Sequence, residues 1–167
     1  MAAIMQTKPD IEMTDELYEL GSDQAQEVLD TFLKTEREEF PKVVIGSIEL
    51  DYSRQSVVDA LEHTAAEVEA GRFDEEQRNL WFMRLGYYFG EALCRAKPGL
   101  GWGLGDPEYA FVNHPVVLGF AGNEEAPVIT ICRNLIEAVA EGISPISRIA
   151  SGVNSWFETA VDSSKAR

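Results

Sequence analysis

Cysteine is nearly missing from this chain. Cys94 and Cys132 are the only two in 167 residues, and they lie far apart. That excludes a disulfide framework and a clustered-cysteine zinc site. Histidine is as scarce, with His63 and His114 alone. A metal site needs several ligands at set spacing, so neither a metal nor a cofactor is expected. Basic residues are few: 14 Lys and Arg stand against 29 Asp and Glu. A surface so short of cations offers little to nucleic acid or to anionic lipid, which both need cationic contacts. No apolar run reaches the roughly 18 residues of a membrane span. The N-terminal "MAAIMQTKPDIEM" has no basic stretch followed by an apolar one, so no signal peptide is expected. These absences point to the cytoplasm, and the acid content suits a bacterial one.

What the chain does have is acid, unevenly placed. The net charge is −15. Residues 1 to 80 hold 20 acids and 7 cations, a net of −13; residues 81 to 167 hold 9 and 7, a net of −2. Such a field either keeps the protein soluble or attracts a basic partner and speeds its arrival. Hydrophobic residues make up 45% of the chain, enough for one domain over 1–167 with its own core. Residues 1–12 read as a loose leader and 163–167 as a frayed tail.

The periodicity between those ends predicts helices, a small antiparallel sheet, and helices again, an α+β fold. Thr14 is expected to cap "DELYEL", which stops near Gly21. Ser22 is expected to cap "DQAQEVLDTFLKTEREEF". Ala25, Val28, Leu29, Phe32 and Leu33 form its inner face, with Glu27, Asp30, Glu36, Glu38 and Glu39 outside. Residues 42–52 form a connector with room for a short strand. Ser53 then caps a helix buried through Val57, Leu61, Ala65 and Val68. Asp74 and Gln77 match a capping box that opens a long helix from Glu75 to about Ala96. "GLGWGLG" alternates with a period of two, and "EYAFVNHPVVLGF" is rich in strand formers, with Pro115 at a bend or edge. "APVITICRNLIEAVAEG" starts extended and becomes a helix. A last helix faces inward through Ile146, Ile149, Val153, and Trp156 or Phe157.

The long helix contains "WFMRLGYYFGEALCR", with Gly86 and Gly90 in its middle. Glycine there costs about 1 kcal/mol relative to alanine. The helix is apolar over most of its circumference, as a buried helix is. The two glycines are therefore expected to let another backbone approach closely. Glu91 and Arg95 stand in the favourable order for a surface ion pair.

Other chemistry is sparse. "GLGWGLG" lacks the third glycine of a dinucleotide loop and has no Gly-Lys-Ser/Thr after it, so it does not read as a phosphate cradle. His63 is expected in solvent. Cys132, at a helix start, could form a stabilised thiolate, but a buried small hydrophobe is the commoner role. Trp102, Tyr109, Phe111 and Phe120 are expected on the sheet, as core under the glycine helix or as a binding face.

"ELDYSRQSVVDAL", "LGYYFGEAL" and "APVITICRNLIEAV" together resemble a group of bacterial domains of unknown function. In these, a "dYS…SL" helix start precedes an "LG-x-x-x-GE-x-L" helix and a short sheet. The matching residues are Asp51, Tyr52, Ser53, Ser56, Gly86, Gly90 and Glu91. Being small, acidic and without catalytic signatures, the chain is also similar to immunity proteins that neutralise antibacterial toxins. That similarity implies a non-enzymatic protein that binds another protein with a basic surface. Its expected contact residues are Glu36, Glu38, Glu39, Glu75 and Glu76, or a loop near Trp102 and Asp106. Two alternatives stand beside it. One is an enzyme with a cleft at the glycine helix, using Glu91 or His114 as acid or base. The other is a homo-dimer or larger scaffold paired through the aromatic sheet.

Overall fold

A computed structural model describes residues 15–162. The expected leader, the Thr14 cap and the expected tail lie outside the described residues. The order is the α+β one: among the described residues, six α-helices and, between the fourth and fifth, a two-stranded antiparallel sheet.

Helix α1, Asp15–Glu19, is one turn that buries Leu17. Helix α2, Ser22–Glu39, is capped by Gly21 rather than Ser22, with the Gln24 side chain reaching back to the Gly21 N–H at 3.3 Å. Its buried stripe is Ala25, Leu29, Phe32, Leu33 and also Glu36. A short 3-10 turn, Phe40–Lys42, carries Pro41. Residues 43–53 contain no strand. Two β-branched valines precede Ile45, but no partner strand is at hand, and strand propensity depends on one. Instead Gly46 turns left-handed at φ 55°, and Ile45 drops into the core from a looped backbone.

Helix α3, Arg54–Glu69, starts as expected. The Ser53 hydroxyl accepts the Ser56 N–H at 3.1 Å. Helix α4, Glu75–Ala96, opens with the full capping box: Asp74 N–H to Gln77 Oε1 at 3.0 Å, and Gln77 N–H to Asp74 Oδ1 at 2.8 Å. Strand β1, Gly101–Leu104, pairs with β2, Pro115–Leu118, in a register that sets Trp102 opposite Val117. Pro115 opens β2, where its missing N–H costs the ladder little. The "EYAF" segment is turn, not strand: Asp106 caps it, and the Tyr109 N–H returns to the Asp106 carbonyl at 3.0 Å. Ala126 bridges to Val117, and the chain then enters α5, Val128–Ala140. Helix α6, Ser147–Asp162, buries Ile149, Val153 and Phe157, with Trp156 half-buried. Ile146 does not face inward. It precedes the helix in the α5–α6 turn and is 52% exposed.

Helix α4 is central. It contacts α2, α3, α5, α6 and both strands, and it buries Phe82, Leu85, Tyr88, Phe89 and Leu93. Gly86 meets the first turn of α5. A methyl group there would lie 2.5 Å from Ile129 Cγ1, 2.7 Å from its Cα and 2.9 Å from its N. Backbone does press on backbone at this point. At Gly90 the neighbour is different, because the Trp102 indole of β1 occupies the space a methyl group would need. The expectation of backbone contact therefore holds at Gly86 and is corrected at Gly90.

Candidate functional site

Of the expected contact residues, Glu36 is the clear correction. It lies on the inner face of α2 and is 1% exposed. The helix turns 100° per residue, so Glu36 falls in line with Phe32, Leu33 and Phe40, which are all buried. Being acidic in an acidic run hid that geometry. Glu38, Glu75 and Glu76 are in solvent. Glu39 is half-buried, with Lys42 at 3.4 Å. Asp106 is exposed, and its carboxylate accepts the Glu108 N–H at 2.8 Å.

Trp102 serves the core more than the surface. Its ring stacks on Tyr87 at 6.2 Å and meets Phe32 edge-on at 5.7 Å. Its indole N–H donates to Glu91 Oε1 at 3.0 Å. Phe120 is buried, Phe111 half-buried and Tyr109 55% exposed, so the aromatic sheet face divides among three environments.

Glu91 is held at the rim of α4. Arg37 and Arg95 approach its two oxygens, each at 3.9 Å. Arg95 also lies over the Tyr52 ring, 3.5 Å from the centroid. The pair expected between Glu91 and Arg95 is present, and Arg37 of α2 joins it. Burial, with the Glu91 charge adding to it, pushes the Tyr87 phenol up to about 12 and the Cys94 thiol up to about 11. Burial also raises the Cys132 thiol well above its ordinary value. Burial disfavours the thiolate at both sulfurs, and Cys132 lies one turn past the start of its helix at Val128.

The residues of the "DYS" start do come together with α4. Tyr52 adopts a left-handed backbone, φ 62°. Its N–H donates to the Tyr88 hydroxyl at 2.8 Å, and that hydroxyl lies 2.6 Å from Ser56 Oγ. Ser56 gives its own proton to the Ser53 carbonyl at 2.7 Å. Tyr88 therefore donates to Ser56 and accepts from Tyr52, since each hydroxyl has one proton. Hydrogen bonds from Ser53 hold the Asp51 carboxyl below its ordinary value. This network positions the α3 start. All its buried donors are spoken for, as in a structural joint.

His114 forms a separate cluster. It is buried, its Nδ1 bonds the Val112 carbonyl at 2.9 Å, and burial holds its pKa below 6.5. Tyr18 of α1 packs on its ring at 5.0 Å and Phe111 meets it edge-on at 5.8 Å. Glu91 and His114 thus belong to different clusters. A cleft at the glycine helix would need the places that Ile129 and Trp102 fill. His63 is in solvent, as expected. No group of three or more potential metal ligands occurs among the described residues. No helix among them is long and apolar enough to cross a membrane.

Sequence reasoning missed Arg37, Asn113 and Tyr18. Asn113 carried a signal: asparagine tolerates left-handed backbone, and here φ is 65°. Arg37 and Tyr18 carried none, because their partners come from distant segments. No family model, curated protein or solved structure matches the chain.

Proposed function

We propose that this chain is a non-enzymatic cytoplasmic protein that binds a partner with a basic surface. In its most concrete form it is a bacterial immunity-type inhibitor that neutralises a toxin by direct contact. The observation that carries this reading is the surplus of exposed acid on the first half of the chain. Asp23, Glu27, Asp30 and Glu38 of α2, Glu49 and Asp51 of the connector, and Glu75 and Glu76 at the start of α4 all stand in solvent. Several cations of the same half are engaged locally: Arg37 with Glu91, Lys42 with Glu39, Arg72 with Glu67 at 2.6 Å. The remaining field is negative, and complementary charge raises association rates. The packing of α4 supports the same reading, since its two glycines serve contact between elements and leave the outer surface for binding.

The test is kinetic. The tagged chain isolates its partner from the native cell, and the purified pair is compared with a variant carrying Glu38→Lys, Glu39→Lys, Glu75→Lys and Glu76→Lys. Association should slow by about tenfold at low salt and lose most of its salt dependence. An unchanged on-rate, or a partner with an acidic surface, would overturn the reading.

A further inference from the structure

The segment between β1 and β2 is a closed loop. The Gly105 N–H bonds the His114 carbonyl at 3.0 Å, the Asn113 N–H returns to the Gly105 carbonyl at 3.3 Å, and Gly105 bridges Val112. From the segment after β2, the Glu125 carboxylate accepts the Asp106 N–H of the loop at 2.7 Å. The Asn113 amide donates to the carbonyls of Leu17 and Leu20, at 2.8 and 3.0 Å, which ties α1 to the loop's base. Large aromatics elsewhere in this fold are mostly buried or half-buried. Here two are exposed: Tyr109 in the loop, at 55%, and Tyr18 on α1, at 46%, with part of the Tyr18 ring covered by His114. The acids beside them, Asp106 and Glu108 in the loop and Glu19 next to Tyr18, are exposed as well. Arg133, whose charge acts on His114, is half-buried.

We propose that the Gly105–Val112 loop and Tyr18 form the surface that receives an arginine-bearing basic segment of the partner. This rests on the reading above, and it moves the anchor from the acidic helix faces to the aromatic loop. A guanidinium can lie flat on a tyrosine face and bond a neighbouring carboxylate with its fork, which an ammonium cannot do. Tyrosine at a contact centre commonly carries much of the binding energy. The loop is already closed and braced, so little ordering cost attends its binding. The acids of α2 and of the α4 start then contribute steering.

The experiment uses the full chain labelled with 15N. It is titrated at low salt with a short peptide alternating arginine and glycine, with its lysine counterpart, and with its glutamate counterpart as a control. Saturable shifts should appear at the amides of residues 106–112 and of Tyr18, with arginine binding tighter than lysine. Tyr109→Ala, whose lost side chain stands mostly in solvent, should weaken arginine binding by about fivefold, the worth of one cation–π contact, and leave the rest of the spectrum in place. Shifts confined to the outer face of α2 and the start of α4 would overturn this surface and leave the basic-partner reading standing. Equal binding of lysine and arginine at the loop would overturn the arginine assignment. No saturable shift anywhere would remove both.

Discussion

Gly86 and Gly90 stand one turn apart on the same helix, in sequences that look alike, and they answer to different neighbours. Gly86 faces the backbone of Ile129 where α5 begins; Gly90 faces the six-membered ring of Trp102 from β1, at Cη2 and Cζ2. The first contact is between two main chains held by their own helical bonds. The second is between a main chain and a side chain with two rotatable bonds. Equal spacing therefore conceals unequal tolerance, because main chain cannot retreat without moving a whole element, whereas a side chain can turn.

The largest effect is expected where nothing can give. Gly86→Ala should gain about 1 kcal/mol of helix propensity but drive a methyl group into Ile129 Cα and N. Overpacking against backbone lies at the upper end of its usual cost, about 3 kcal/mol. The net loss of about 2 kcal/mol should lower the melting temperature by roughly 4–8 °C. Ile129→Ala added to it removes Cγ1 and leaves Cα and N, so it should not restore stability. Gly90→Ala should cost less, about 1 kcal/mol. Combined with Trp102→Leu, which vacates the ring, it should cost less than the sum of the two single changes. Thermal melts of the four single and two double variants decide the comparison. Rescue at Gly86, or none at Gly90, would reverse it.

The same distinction explains how far the sequence could be read. Element types and order were legible, because each rests on local signals: the Asp74–Gln77 box, the Ser53 cap, and Gly71 and Gly142 in left-handed stops at φ 71° and 74°. The close contact at Gly86 was legible too, since a glycine inside an apolar helix has few other uses. What stayed hidden depends on partners far along the chain. Residues 43–53 have strand composition and no strand to pair with. "EYAF" has it as well, yet Asp106 closes a turn first. Glu36 lies among acids in sequence and among phenylalanines in space. At the candidate surface Asp106 and Tyr109 were visible as residue types. Tyr18 was not, because Asn113 carries it there from about 90 residues away.

A smaller effect is expected at the joint between α3 and α4. Tyr88→Phe removes the hydroxyl that accepts the Tyr52 N–H and donates to Ser56. Tyr52 is half-buried, so water can replace part of the lost bonding, and a loss of about 1 kcal/mol follows. The sharper readout is local. The left-handed Tyr52 loses its fixed partner, and its amide should exchange with solvent faster than that of Val57 in the neighbouring helix. If stability falls while Tyr52 exchange is unchanged, the hydroxyl serves packing and not the turn. That would weaken the contrast between backbone-held and side-chain-held contacts.

The smallest effect concerns the loop's base and is read by pH. His114 is held neutral by burial, so its folded pKa lies below the unfolded value near 6.5. The unfolded chain then binds more protons than the folded one as pH falls. The stability His114 contributes is complete above 6.5 and is lost as pH drops toward its folded value. Tyr18 and Phe111 face the ring with apolar surface, the Val112 carbonyl accepts from it, and the charge of Arg133 opposes a proton there. The carboxyl of Asp51 is held low by Ser53, so its own contribution begins to fail only below its ordinary 3.8. The His114 loss therefore begins at higher pH than the Asp51 loss. As pH falls from about 7.5 through 6.5 the melting temperature should decline, and His114→Gln should flatten that decline while lowering the plateau. Because Asn113 and His114 together hold α1, hydrogen exchange at Leu17 and Leu20 should speed up over the same interval, ahead of exchange in α4. Equal acceleration in both helices would mean that protonation loosens the whole fold, and the loop's base would no longer be distinguishable from the core it adjoins.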